Sequence, residues 1–139
     1  MGITFREMRI EDFPPVIQLW QNTEGIGLSS SDSKENFEYF LGRNPNLSFI
    51  VLDGKCLAGA VMCGHDGRRG FIYHLAVDKK YRHQGVGRKL VEYCLNGLKK
   101  VKIEKCHVMV LEFNENGQKF WQKMGWEERT DIKMMSRAI

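Results

Sequence analysis

No apolar run in this sequence comes near the ~20 residues that a membrane-crossing helix needs, which argues against a helical membrane protein. The opening residues, Met1-Gly2-Ile3-Thr4-Phe5-Arg6-Glu7, lack the basic start and apolar stretch of a signal peptide, so a cytoplasmic chain is expected. Cysteine is sparse. Cys56, Cys63, Cys94 and Cys106 lie 7, 31 and 12 positions apart with no C-x-x-C among them, and each falls in an apolar stretch. They read as reduced, packed thiols rather than a disulfide framework. The histidines at 65, 74, 83 and 107 form no close pair, so no metal is expected. Repeats, low-complexity tracts and linkers are missing too, which leaves one domain over 1–139 as the simplest organisation. A hydrophobic share of 42% and a charged share of 27% are ordinary for a globular protein.

Charge is the first uneven feature. The net charge is +4, but between Lys79 and Lys105 nine basic residues face only Glu92 and Glu104. Such a stretch suits a solvated face, a nucleic-acid patch or a dock for a phosphorylated ligand. It contains only Tyr81 and Tyr93 as aromatics, so it offers no stacking platform for single-stranded nucleic acid.

Periodicity gives a coarse map. Ile3–Met8 reads as a strand and Asp12–Asn22 as a helix with Pro14 and Pro15 confined to its first turn. Asp32 and Glu35 resemble a capping box ahead of a second helix carrying Phe37, Phe40 and Leu41. Leu47–Leu52, Cys56–Cys63 and Phe71–Val77 then read as strands, joined by hairpins at Asp53-Gly54 and Asp66-Gly67. A helix over about Gly85–Lys99, a strand over Ile103–Phe113 and a helix over Glu115–Met124 follow. Short strands are expected near Trp126–Arg129 and Lys133–Ser136. Hairpins followed by β-α-β-α-β predict an α/β (α+β) fold with a mixed sheet flanked by helices.

The most informative segment is Phe71-Ile-Tyr-His-Leu-Ala-Val77, continuing as Asp78-Lys-Lys-Tyr-Arg-His-Gln-Gly-Val-Gly-Arg88. A strand enters a glycine-containing turn that opens a helix, and unpaired N–H groups at such a helix start bind phosphate. Gly85 and Gly87 would let the backbone approach a pyrophosphate closely. Two nucleotide motifs fail: the third glycine of G-x-G-x-x-G is Leu90, and no Ser or Thr follows Arg88-Lys89 as a P-loop requires.

What the turn does match is Arg/Gln-x-x-Gly-x-Gly/Ala, in Arg82-His83-Gln84-Gly85-Val86-Gly87. With Leu75-Ala76-Val77 before it, and Asn114, Phe120-Trp121 and Gly125-Trp126 after it, nearly the whole chain resembles the GNAT family of N-acetyltransferases. The stretch Gly64-His-Asp-Gly-Arg-Arg-Gly70 is similar to small bacterial members of the YpeA type. The resemblance implies a mixed sheet of six to seven strands with about four flanking helices, the fourth and fifth strands splayed apart. It implies acetyl-CoA as co-substrate and transfer of acetyl to a primary amine of a small metabolite or protein, by a monomer or homodimer. Leu75, Ala76 and Val77 would line the pantetheine arm through their backbone, and Arg82, His83, Gln84, Gly85, Val86, Gly87 and Arg88 would hold the pyrophosphate. Asn114 and Trp121 would lie along the pantetheine near the sulfur.

The family's usual acid and base do not carry over. Positions that often hold a basic Glu are Phe71 and Met109 here, and the position of the usual acidic Tyr is Trp121. Tyr73 and, on the expected fifth strand, Glu112 remain as catalytic candidates; each also fits a simple packing or solvent-facing role. Strict alternation would turn His74 to the opposite face from Tyr73. A catalytically degenerate CoA-binding sensor and a basic nucleic-acid-binding domain are the alternative readings.

Overall fold

The computed structural model describes residues 2–139. The chain divides into two compact units, one ending at Met109 and one formed by Val110–Ile139. The first unit is built on a five-stranded sheet in the order β1 (Ile3–Glu7), β2 (Phe49–Asp53), β3 (Cys56–His65), β4 (Gly70–Val77) and β5 (Cys106–Val108). Neighbours pair antiparallel through β4, and β5 joins β4 in parallel. The unit also carries α1 (Phe13–Gln21), α2 (Lys34–Arg43) and α3 (Val86–Lys100).

Side-chain alternation gives the central strands two apolar faces. Ile50, Ala60 and Met62 pack with Val16 and Trp20 of α1 and Phe37 of α2 in one buried cluster. Val51 turns the other way, towards Leu90 of α3: a Cβ on Gly59 would lie 3.0 Å from Val51 and 3.3 Å from Leu90. Pro14 and Pro15 sit in the first turn of α1, where a missing N–H leaves no hydrogen bond unmade. Asp12, almost fully buried, accepts two hydrogen bonds from the Arg6 guanidinium at 2.9 and 2.7 Å and one from the Arg9 N–H at 2.7 Å. Among the described residues no helix is long and apolar enough to cross a membrane.

Both predicted hairpins form, with Gly54 (φ 61°) and Gly67 (φ 92°) in the left-handed region. Three expectations are corrected. The fifth strand spans Cys106–Val108 rather than Ile103–Phe113, because β4 runs beside it only from Gly70 to Ile72. The sheet therefore has five strands, and among the described residues none occurs over 126–139. There the Arg129 guanidinium instead closes on Asp131, with two hydrogen bonds of 3.0 Å, and a lone two-stranded ribbon is marginal in water. The cap of α2 is Ser33, whose Oγ accepts from the Asn36 N–H at 3.2 Å. Asp32 instead closes the preceding turn by accepting from the Ser29 N–H at 3.0 Å.

The second unit, Val110–Ile139, contains α4 (Glu115–Lys123). Asn114 caps it by accepting from the Gly117 N–H at 3.0 Å, and Gly125, at φ 90°, follows its end.

Candidate functional site

The site begins with an irregularity in β4. Tyr73 lies opposite Met62 and Ala76 opposite Ala60, so β4 spends three steps where β3 spends two. The extra residue is a bulge, and within it His74 takes a left-handed backbone, φ 53°. On the opposite edge the ladder to β5 ends at Ile72↔Val108. From Tyr73 to Val77, β4 therefore has no strand partner on that side among the described residues. The Asp78 N–H donates to the Ala58 carbonyl of β3 at 2.8 Å. Period-two alternation then turns the backbone groups of Leu75 and Val77 to the open side, while Ala76 pairs with β3. The Val77 carbonyl accepts from Arg82 Nε at 2.9 Å.

After β4, Asp78 caps a short 3-10 turn over Lys79–Tyr81, accepting from the Lys80 N–H at 2.9 Å. The Tyr81 hydroxyl donates to Asp53 Oδ2 at 2.7 Å and ties this turn to the β2–β3 hairpin. That hydrogen bond to a carboxylate pushes the phenol up to about 12. Arg82 also reaches Glu24 at 3.3 Å. His83 (φ 63°) and Gly85 (φ 80°) are left-handed, and α3 starts immediately afterwards. Its first intrahelical bond runs from the Lys89 N–H to the Gly85 carbonyl at 3.1 Å. The N–H groups of Val86, Gly87 and Arg88 thus lack a carbonyl one turn back, no side chain caps them, and the first turn holds no acid. A Cβ on Gly85 would meet nothing within 4 Å, so the approach to this turn is open. Free donors, a positive helix end and flanking Lys79, Lys80, Arg88 and Lys89 are the features that suit an anion.

A groove of about 590 Å³ lined by Leu95, Lys99, Lys102, Glu104 and Cys106 lies towards the other end of α3. At about 1.5 Å per residue that is most of a helix length from the turn, so this groove is separate from the uncapped helix start.

The bulge also overturns one expectation. Tyr73 packs edge-on against Phe40 of α2 at 6.0 Å, and His74 packs on Trp20 of α1 at 4.9 Å. Two successive side chains therefore face the same helical layer, because the left-handed step cancels the alternation. Burial pushes the half-buried Tyr73 phenol upwards, so at neutral pH it is a proton donor rather than a base. His74 Nε2 lies 2.8 Å from Asp32 Oδ1, with side-chain exposures of 18% and 9%. Sequence reasoning missed this pair. The one available signal was that His tolerates left-handed backbone better than most residues.

In the second unit, Glu112 does not lie on a strand. It is an exposed turn residue whose carbonyl accepts from Gln118 Nε2 at 2.7 Å. Trp121 is buried on α4 and stacks edge-on with Trp126 at 4.7 Å. Among the described residues no group of three or more His, Cys, Asp or Glu could hold a metal.

Comparison with known proteins bears on this arrangement. Residues 7–126 match the model of the acetyltransferase (GNAT) family. An "Acetyltransferase" of Yersinia pestis (strain Pestoides F) is 29% identical over 136 residues, 96% of each chain. "N-alpha-acetyltransferase 30" of Schizosaccharomyces pombe is 33% identical over 104 residues, 71% of this chain and 69% of the relative. The solved structure of Ard1 from Thermoplasma volcanium has the same fold, with a TM-score of 0.78 at 18% identity, covering 90% of this chain and 82% of that one.

Proposed function

The chain belongs to the acetyltransferase (GNAT) family, and on that premise we propose that it moves acetyl from acetyl-CoA to the primary amine of a peptide or small metabolite, with α-amines preferred over ε-amines. Acetyl-CoA-dependent transfer follows from the family. One observation carries it: the strand that parts from its neighbour leads directly into an uncapped helix start. The open edge at Leu75 and Val77 suits an extended amide chain such as pantetheine, and the turn from Arg82 to Arg88 suits its pyrophosphate. The family match runs across both compact units, which supports reading 1–139 as one domain. Four free cysteines suit a reducing, cytoplasmic setting.

The thioester supplies an activated acetyl group, and the protein must present a neutral amine to it. At pH 7 a lysine amine of pKa about 10.4 costs roughly 4.6 kcal/mol to deprotonate, whereas an α-amine near 8 costs about 1.4 kcal/mol. That difference favours α-amines by roughly 10²-fold unless a strong base intervenes. The relative named as an N-alpha-acetyltransferase points the same way. The test is calorimetry with acetyl-CoA, followed by turnover on peptides with free or blocked N-termini, free lysine derivatives and polyamines. Faster turnover of α-amines is expected. Tight acetyl-CoA binding with no turnover of any amine would leave a CoA sensor in place of an enzyme.

A further inference from the structure

Neither position that often supplies a base in this family can accept a proton here, since they hold Phe71 and Met109. The fold brings a different group to the place where β4 leaves β5. His74 sits on the bulge, two residues beyond the last β4–β5 pair. Its Nε2 is held by Asp32 Oδ1 at 2.8 Å. Asp32 is itself fixed, because Oδ2 accepts from the Ser29 N–H at 3.0 Å and its own N–H donates to the Ser29 carbonyl at 3.0 Å. The indole of Trp20 packs against the imidazole and fixes its plane.

The other ring nitrogen is free. Among the described residues, the one fully buried side-chain nitrogen or oxygen without a hydrogen bond is Trp20 Nε1. His74 Nδ1 makes no hydrogen bond either, yet it is not among the fully buried atoms, and the side chain as a whole is 18% exposed. A carboxylate that holds one imidazole nitrogen as N–H leaves the other as a lone pair. A hydrogen-bonded Asp in a hydrolase triad orients its His in the same way.

We propose that His74 is the general base of the acetyl transfer, with Asp32 as its positioning residue; this rests on the acetyltransferase reading above. Nδ1 takes one proton from the acceptor ammonium. The freed lone pair forms the N–C bond to the acetyl carbon, and the C–S electron pair leaves with sulfur. The surplus proton on the new amide nitrogen passes to that thiolate, and His74 releases its own proton to solvent. One ammonium and one thioester become one amide, one thiol and one proton.

Kinetics on the full chain test this with the variants His74→Asn, His74→Gly and Asp32→Asn. Asn and Gly both accept the left-handed backbone, so the bulge should survive. For His74→Asn, kcat should fall about 10²- to 10³-fold, with acetyl-CoA affinity unchanged within about twofold. Added imidazole should restore part of the turnover of His74→Gly. The pH profile separates a base from a packing residue. In the wild type the acid limb of kcat/KM should break at the same pH for acceptors of different pKa. In His74→Asn the break should follow the acceptor. Asp32 is the one charged side chain in hydrogen-bonding contact with the ring among the described residues. Removing its charge frees the ring to turn, so Asp32→Asn should lower kcat while acetyl-CoA affinity stays within about twofold. Undiminished kcat in His74→Asn, or a break that already follows the acceptor in the wild type, overturns the proposal. Should His74→Asn not fold, undiminished kcat in Asp32→Asn overturns it as well. A wild type that binds no acetyl-CoA, or acetylates no amine, defeats the acetyltransferase reading itself.

Discussion

Replacing Gly87 by glutamate should make the protein more stable and less able to bind acetyl-CoA. Gly87 is the second residue of α3, inside the turn whose N–H groups lack partners. Glycine is a poor helix residue, so glutamate should gain about 0.5 kcal/mol from propensity alone. A carboxylate in the first turn, where no acid now stands, adds about 0.3–1 kcal/mol by facing the positive helix end. Together these raise the melting temperature by roughly 3–5 °C. The same carboxylate would stand close to the pyrophosphate. At ~5 Å and an effective dielectric constant of ~20, two like charges repel by about 3 kcal/mol, which weakens Kd about 10²-fold. Calorimetry and thermal melts on one preparation read both numbers. A stabilised mutant with undiminished affinity would refute the assignment of the phosphates to this turn. A loss of stability would refute the picture of an uncapped first turn that welcomes an acid.

Two further outcomes follow from packing. Gly42 and Gly97 both lie in helices, but a Cβ on Gly42 meets nothing within 4 Å, whereas one on Gly97 would lie 2.8 Å from the Asn46 carbonyl oxygen. Gly42→Ala should therefore stabilise by about 0.5–1 kcal/mol, and Gly97→Ala should destabilise by about 1–2 kcal/mol because backbone cannot step aside; equal effects in denaturant melts would contradict the close approach. Cys63 is drawn down by its hydrogen bond to Cys106, but its bond to Cys94 and burial together outweigh this and push the thiol up. The hydrogen bond to Cys63 and burial push Cys106 up as well. In native protein at pH 8 only exposed Cys56 should react quickly with a thiol reagent, and all four cysteines should react after unfolding; two or more fast equivalents would count against the packed cluster.

The sequence announced those parts of the fold that rest on local chemistry. Asp53-Gly54 and Asp66-Gly67 demanded tight turns and formed them, and Gly85 supplied the left-handed step that opens α3. What stayed hidden depends on neighbours in space. Nothing in Phe71–Val77 marks one residue as surplus; the bulge exists because β4 must match β3 on one side while leaving β5 on the other. Counting by twos therefore sent His74 to the wrong face. The length of β5 failed for the same reason, since Met109 to Phe113 are apolar enough for a strand but β4 has already turned away. Asp32 looked like a helix cap because Ser33, one residue later, does that work with less obvious spacing.

The left-handed backbone at His74 also sets what mutation can do there. Valine, isoleucine and leucine, the natural occupants of a strand, would cost about 1–2 kcal/mol at φ 53°. Glycine, asparagine and aspartate would sit with little strain, but none of them carries an imidazole. Position 74 thus sorts its replacements: most would lose stability as well as activity, so the two losses would be confounded. Those that pass through asparagine or glycine would leave a stable, acetyl-CoA-binding protein whose damage no melting curve would reveal.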